Sequence, residues 1–116
     1  MTFEEYRQLD GLALAELVAK GEVSAAELLE LAIARAEAVN PALNAIIIPM
    51  HDIARARANA PLNGPFAGVP FLTKDLFQEY ARVLNANGNQ ALKQAGFTPT
   101  EHSTLTQRWL DAGLVI

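Results

Sequence analysis

The chain contains no cysteine, which excludes a disulfide framework, a thiol nucleophile and a thiolate metal site, and leaves sulfur redox chemistry without a residue to carry it. Serine is nearly as scarce. Only Ser24 and Ser103 occur, and neither lies in a glycine-rich loop or a G-x-S-x-G elbow, so neither reads as a nucleophile. No apolar run approaches the roughly 20 residues that cross a bilayer, and the opening Thr2-Phe3-Glu4-Glu5-Tyr6 lacks the basic and apolar regions of a signal peptide. These absences lead to the expectation of a soluble, cytoplasmic chain with no membrane partner. An excess of positive charge is also missing. Nine basic residues, scattered among thirteen acidic ones, give a net charge of -4, so the footprint of a nucleic-acid partner is not there.

What is present is a chain of 116 residues, 51% hydrophobic and 19% charged, enough apolar material for one small domain rather than a disordered segment. A first amphipathic helix begins near Asp10, with Leu14, Leu17 and Val18 on one face and Gly21 placed to end it. Ser24 and Glu27 form a capping box ahead of Leu28, Leu29, Ala32, Ala36 and Val39 at helical spacing, and Asn40-Pro41 should stop that helix. Ala45 to Ile48 is a β-branched run without polar alternation, expected as a strand covered on both faces. A short helix from His51 to Ala60, with Ile53 and Ala56 on one side, precedes the breaker-rich Pro61-Leu62-Asn63-Gly64-Pro65. Val69 to Leu76 reads as the next strand. Asn89 to Gln94 has room for one or two helical turns, and Thr104 with Gln107 suggests a second capping box before Leu105, Trp109 and Leu110. Gly113 then turns the chain into Leu114-Val115-Ile116, a strand opening that reads as cut short. The expectation is an α/β fold. Residues 1–60 would be a mainly helical subregion with one buried strand, and residues 61–116 a lysine-bearing strand, a loop, a helix and the start of a strand.

The residue of chemical interest is Lys74. In a strand from Val69 to Leu76, alternation puts it on one face with Leu72 and Leu76, opposite Phe71, Thr73 and Asp75. A lysine covered by leucines is costly unless it is paired or gives up its proton, and a neutral amine is a general base. Lys74 is thus an ion-pair partner, a catalytic base, or a lysine snorkelling at a strand end. Asp75, on the other face, could hold the following loop through backbone hydrogen bonds. His51-Asp52 opens a helix whose dipole favours Asp52. His102 beside Glu101 has no sequence partner and is expected at the surface. The glycines sit in no phosphate-binding motif, and no metal or cofactor is expected.

Gly64-Pro65-Phe66-Ala67-Gly68-Val69-Pro70-Phe71-Leu72-Thr73-Lys74-Asp75-Leu76 resembles the segment of amidase-signature enzymes that delivers their catalytic lysine. Gly21 to Leu29, Arg35 to Pro41 and Leu43-Asn44-Ala45 are similar to the same family's opening, and Arg108 to Ile116 to the helix and strand that, in the family, run into a Gly-Lys-Thr-Asn segment, so the resemblance spans nearly the whole chain. It implies the incomplete N-terminal fragment of an amidase-signature mixed sheet, with Lys74 as the lysine of a Ser-cisSer-Lys set that cleaves carboxylic amide bonds. Both serines of that set would lie beyond Ile116, leaving the fragment inactive alone. A small-molecule amide substrate is implied for the parent, and a homodimer is compatible with it. After Asp75 the sequence departs from the family's commonest pattern, with Asn85-Ala86-Asn87-Gly88-Asn89-Gln90 where a Gly/Thr-rich stretch ending in Gly-Ser is usual. The wording of 43–49 and 64–70 looks closer to the branch of nylon-oligomer hydrolases than to amidotransferase A subunits. An amidotransferase A-type subunit, or a non-catalytic truncated binding or assembly module, are the alternatives.

Overall fold

The fold is described by a computed structural model covering residues 1–116. Six helices form it, and no strand. The chain divides into two units, residues 1–71 with 112–116, and residues 72–111.

The first unit is a helical assembly whose ends are set by local side-chain chemistry. Thr2 and Glu5 form a capping box on the single turn α1 (Phe3–Tyr6), an element too short to carry a sequence period. Asp10 Oδ1 accepts from Ala13 N–H at the start of α2 (Gly11–Ala19). Gly21, at φ +70°, closes that helix by donating to Val18 O while Glu22 N–H reaches Leu17 O, a Schellman pattern. The expected Ser24–Glu27 box opens α3 (Ala25–Leu43), with Glu27 N–H on Ser24 Oγ and Ser24 N–H on Glu27 Oε2. Pro41 does not stop this helix. In the last turn its missing N–H costs one bond only, and the turn is completed when Asn44, at φ +48°, donates to Asn40 O.

Helix α4 (His51–Ala58) packs on α3 through Ala54 and Ala58, not through the expected Ile53 and Ala56. The small side chains let the helices approach, so Leu29, Ile33, Ala25 and Val115 close over them as one core. Arg55 clips the pair from outside, with its guanidinium on both oxygens of Glu30 at 2.7 and 3.0 Å. Leu28 is fully buried, a burial that contributes on the order of 1.5–3 kcal/mol.

The expected strands are not formed. At Ala45–Ile48 the backbone is taken by a side chain, because Asn40 Oδ1 accepts from Ala45 and Ile46 N–H while Asn40 Nδ2 donates to Ile46 O. Ile47 is exposed rather than covered on both faces. Between 69–71 and 114–116 a single parallel bridge remains, Pro70 opposite Val115, with Val115 N–H on Val69 O and Phe71 N–H on Val115 O. A ladder needs a partner residue at each rung, and no residue of the chain stands opposite Leu72 to Leu76. Arg57 Nε donates to Leu114 O at 2.7 Å, satisfying a carbonyl of that short pairing. Gly113, at φ +91°, lies so close to Ala67 and Asn63 that a Cβ would come within 2.6 Å of Ala67 Cα.

The second unit carries α5 (Gln90–Ala95), capped by Asn89 Oδ1, and α6 (Thr104–Asp111). The cap of α6 falls one residue earlier than the sequence suggests: Ser103 Oγ accepts from Thr106 N–H, and Gln107 turns forward to Asp111 instead of back to Thr104. Thr106, not Leu105, is the buried residue of this helix. Only Asn85, Ala86 and Thr106 are buried in this unit, so hydrogen bonds rather than an apolar core hold it.

Candidate functional site

Lys74 lies in the second unit at the end of an irregular stretch, and the chain bends at Asp75 to Phe77. Burial alternates along it as the period-two pattern requires: Thr73 and Asp75 are half-buried while Leu72, Lys74 and Leu76 are exposed. The face that Lys74 shares with two leucines was expected to be covered; it is open, with Leu72 at 70% and Leu76 at 45% exposure. Nothing in the 116 residues packs over it, because the stretch lacks the flanking strands that would carry covering elements. Lys74 is therefore not a buried cation here.

The backbone around Lys74 is fixed more firmly than its side chain. Lys74 N–H donates to Gln78 Oε1 at 2.6 Å. Asp75 Oδ1 accepts from Ala86 N–H at 2.7 Å and Asn87 N–H at 3.2 Å, and Oδ2 accepts from Gly88 N–H at 3.3 Å. Asn87 and Gly88 both have positive φ, 47° and 67°, so successive N–H groups converge on one point in the concave arrangement that receives an anion. Asn87 Oδ1 in turn accepts from Phe77 N–H at 3.0 Å, and Phe77 is itself left-handed at φ +56°. Asp75 thus holds the following loop, as its position next to Lys74 suggested. The parts played by Gln78 and Asn87 could not be read from spacing, although an Asn-Gly pair is a turn signal.

Further along, Asn85 N–H donates to Phe97 O at 3.0 Å, and its buried side-chain oxygen Oδ1 has no protein partner. His102 is not a free surface residue as expected. It is half-buried, its Nδ1 accepts from Ala81 N–H at 3.0 Å, and its ring meets Tyr80 edge-on with centroids 4.5 Å apart. A partner 21 residues away leaves no mark in local sequence. His51 opens α4 as expected, 3.9 Å from Glu37. Both serines are spent on helix caps. No three of the His, Asp and Glu side chains gather as a metal site, and no helix is long and apolar enough to cross a membrane.

In the first unit, a groove of about 580 Å³ is lined by Leu12, Ala15, Val18, Leu62 and Ala67, with Glu16 as its charged residue. Glu16 is the one ionisable group there, with no second acid, base or nucleophile lining the groove.

No protein-family model matches the chain. Among solved structures, a bacterial aryl acylamidase of the amidase signature enzymes family matches 92% of the chain with a TM-score of 0.75 and 31% identity. The chain belongs to the amidase signature family. More similar still is a 6-aminohexanoate cyclic dimer hydrolase, whose structure matches with a TM-score of 0.86 and 42% identity over 92% of the chain and 22% of its own. The curated 6-aminohexanoate-cyclic-dimer hydrolase of Pseudomonas sp. (strain NK87) is 43% identical over 107 residues. The A subunit of the glutamyl-tRNA(Gln) amidotransferase of Alkalilimnicola ehrlichii is 34% identical over 110 residues. The chain spans about 22% of the length of these relatives.

Proposed function

We propose that the chain is the N-terminal part, residues 1–116, of an amidase domain, and that it supplies the general base, Lys74, to an enzyme that hydrolyses small-molecule carboxylic amides by a Ser-cisSer-Lys mechanism. The observation that carries this reading is the segment at Lys74, which leaves the lysine exposed between two exposed leucines while Asp75 anchors the backbone beside it. An ammonium in water is protonated at neutral pH, so base catalysis needs the amine desolvated. In this proposal the cover comes from the remainder of the enzyme, packing on Leu72, Leu76 and Phe77. The Pro70–Val115 bridge is then the first rung of a mixed sheet completed by strands outside the 116 residues. The enzyme is cytoplasmic and needs no cofactor.

The nucleophile and its cis-serine relay would also lie outside these residues, since Ser24 and Ser103 cap helices. The 116-residue chain should therefore not react with a fluorophosphonate, whereas the complete enzyme should be labelled once per molecule at a serine. Labelling of the short chain at Ser24 or Ser103, or none of the complete protein, would refute the reading. The similarity to an amidotransferase A subunit favours a second reading, a subunit that passes ammonia to a partner. Adjacent genes encoding the partner subunits would select it.

A further inference from the structure

We infer that Asp75 is the positioning residue for Lys74, acting through the loop Ala86–Gly88, with Asn87 as the second anchor. This rests on the reading of Lys74 as the base. The carboxylate of Asp75 is committed to three backbone N–H groups in a row, those of Ala86, Asn87 and Gly88. A nest of this kind ordinarily receives an external anion; here a side chain of the same unit fills it. Asn87 is tied twice, giving its N–H to Asp75 and taking the N–H of Phe77 on its own Oδ1. A bulky residue in the left-handed region costs about 1–2 kcal/mol, and Phe77 keeps φ +56° while Asn87 holds its N–H.

The two residues that follow Lys74 by one and three positions are thus bound to the same three-residue loop, and Lys74 N–H is bound to Gln78. Asp75 is half-buried with its carboxylate on the loop N–H groups while Lys74 is exposed, so the carboxylate pins the backbone and does not compete for the amine. The consequence is a lysine whose Cα is held while its side chain stays free to meet a substrate-side partner. A base displaced by about 1 Å can lose roughly 100-fold in rate, so releasing the anchor should lower the rate of the chemical step and leave binding alone.

The test uses the complete enzyme carrying this segment and a fluorophosphonate probe, with the maximal inactivation rate kinact and the binding constant KI measured separately. Asp75→Ala and Asn87→Gly should each lower kinact by about 100-fold with KI unchanged. Asp75→Asn, which keeps the Oδ1 acceptor for Ala86 and Asn87, should recover most of the loss. Lys74→Arg should abolish labelling. Unchanged kinact in folded Asp75→Ala and Asn87→Gly, with Lys74→Arg still inert, overturns the positioning role alone. If Asp75→Ala does not fold, Asn87→Gly carries the test, since glycine removes the hold on Phe77 and adopts the φ of +47° without strain. Undiminished labelling of Lys74→Arg overturns the base reading, and this inference with it.

Discussion

At the scale of single residues, Lys74 shows what a periodic pattern can and cannot carry. Burial alternates, with Leu72, Lys74 and Leu76 exposed and Thr73 and Asp75 half-buried, although no strand is formed and the chain bends at Asp75. Whether that shared face is covered depends on segments that the pattern does not describe. The amine should accordingly be open to reagents in the 116-residue chain and closed in the complete enzyme. Acetylation followed by peptide mapping should modify Lys74 about as fast as the exposed Lys93 in the short chain, and much more slowly in the complete protein. Equal modification of Lys74 in both forms would contradict cover by the remainder of the enzyme. The hydrogen-bonding role of Asp75 was legible, because a carboxylate opposite an apolar face and before an Asn-Gly turn has backbone N–H groups within reach. The partner of His102 was not, since the pairing with Ala81 arises only from the path of the loop between them.

Among elements, the helices were legible because their signals are local. Asp10, the Ser24–Glu27 box and Gly21 act within four residues of themselves. Ser24→Ala should cost about 1 kcal/mol of stability, measured from the urea midpoint. The carboxyls of Glu5 and Glu27 are held below the usual range by hydrogen bonds from the backbone and side chains of Thr2 and Ser24, and that of Glu30 by the Arg55 guanidinium. A depressed folded-state value means these groups stabilise the fold above the unfolded carboxylate value of about 4.3. That contribution is lost as the pH falls through their lower folded values. Helicity at 222 nm should decline over this window, and Glu27→Gln should shallow the decline; an unchanged acid transition would show that the box contributes nothing. The strands were misjudged for the converse reason: a β-branched run proposes a strand, but pairing decides it, and Asn40 took the backbone groups of Ala45 and Ile46 first. Gly113→Ala should be among the most damaging substitutions in the chain. It adds a methyl within 2.6 Å of backbone at φ +91°, where the left-handed conformation alone costs about 1–2 kcal/mol. A variant as stable as the parent would show that the 63–67 loop can yield.

For the whole molecule, the family was legible because the resemblance runs through nearly the entire chain, and structural similarity covers 92% of it. The chemistry was legible only in part, since the chain spans about 22% of its relatives' length. Leu72, Leu76 and Phe77 in one unit, and Leu12 and Leu43 in the other, are exposed, and open apolar surface of this kind favours association. The 116-residue chain should sediment as oligomers, with exposed leucines rather than strand edges as the cause. A monodisperse monomer would count against that. The most direct measurement is the turnover of simple carboxylic amides and p-nitroanilides by the complete enzyme carrying Lys74→Arg, beside the unaltered protein. A guanidinium keeps its proton and cannot serve as a base, so the account predicts loss of turnover with the fold and thermal transition preserved. Turnover within a few-fold of the unaltered enzyme would contradict the assignment of Lys74 as the base.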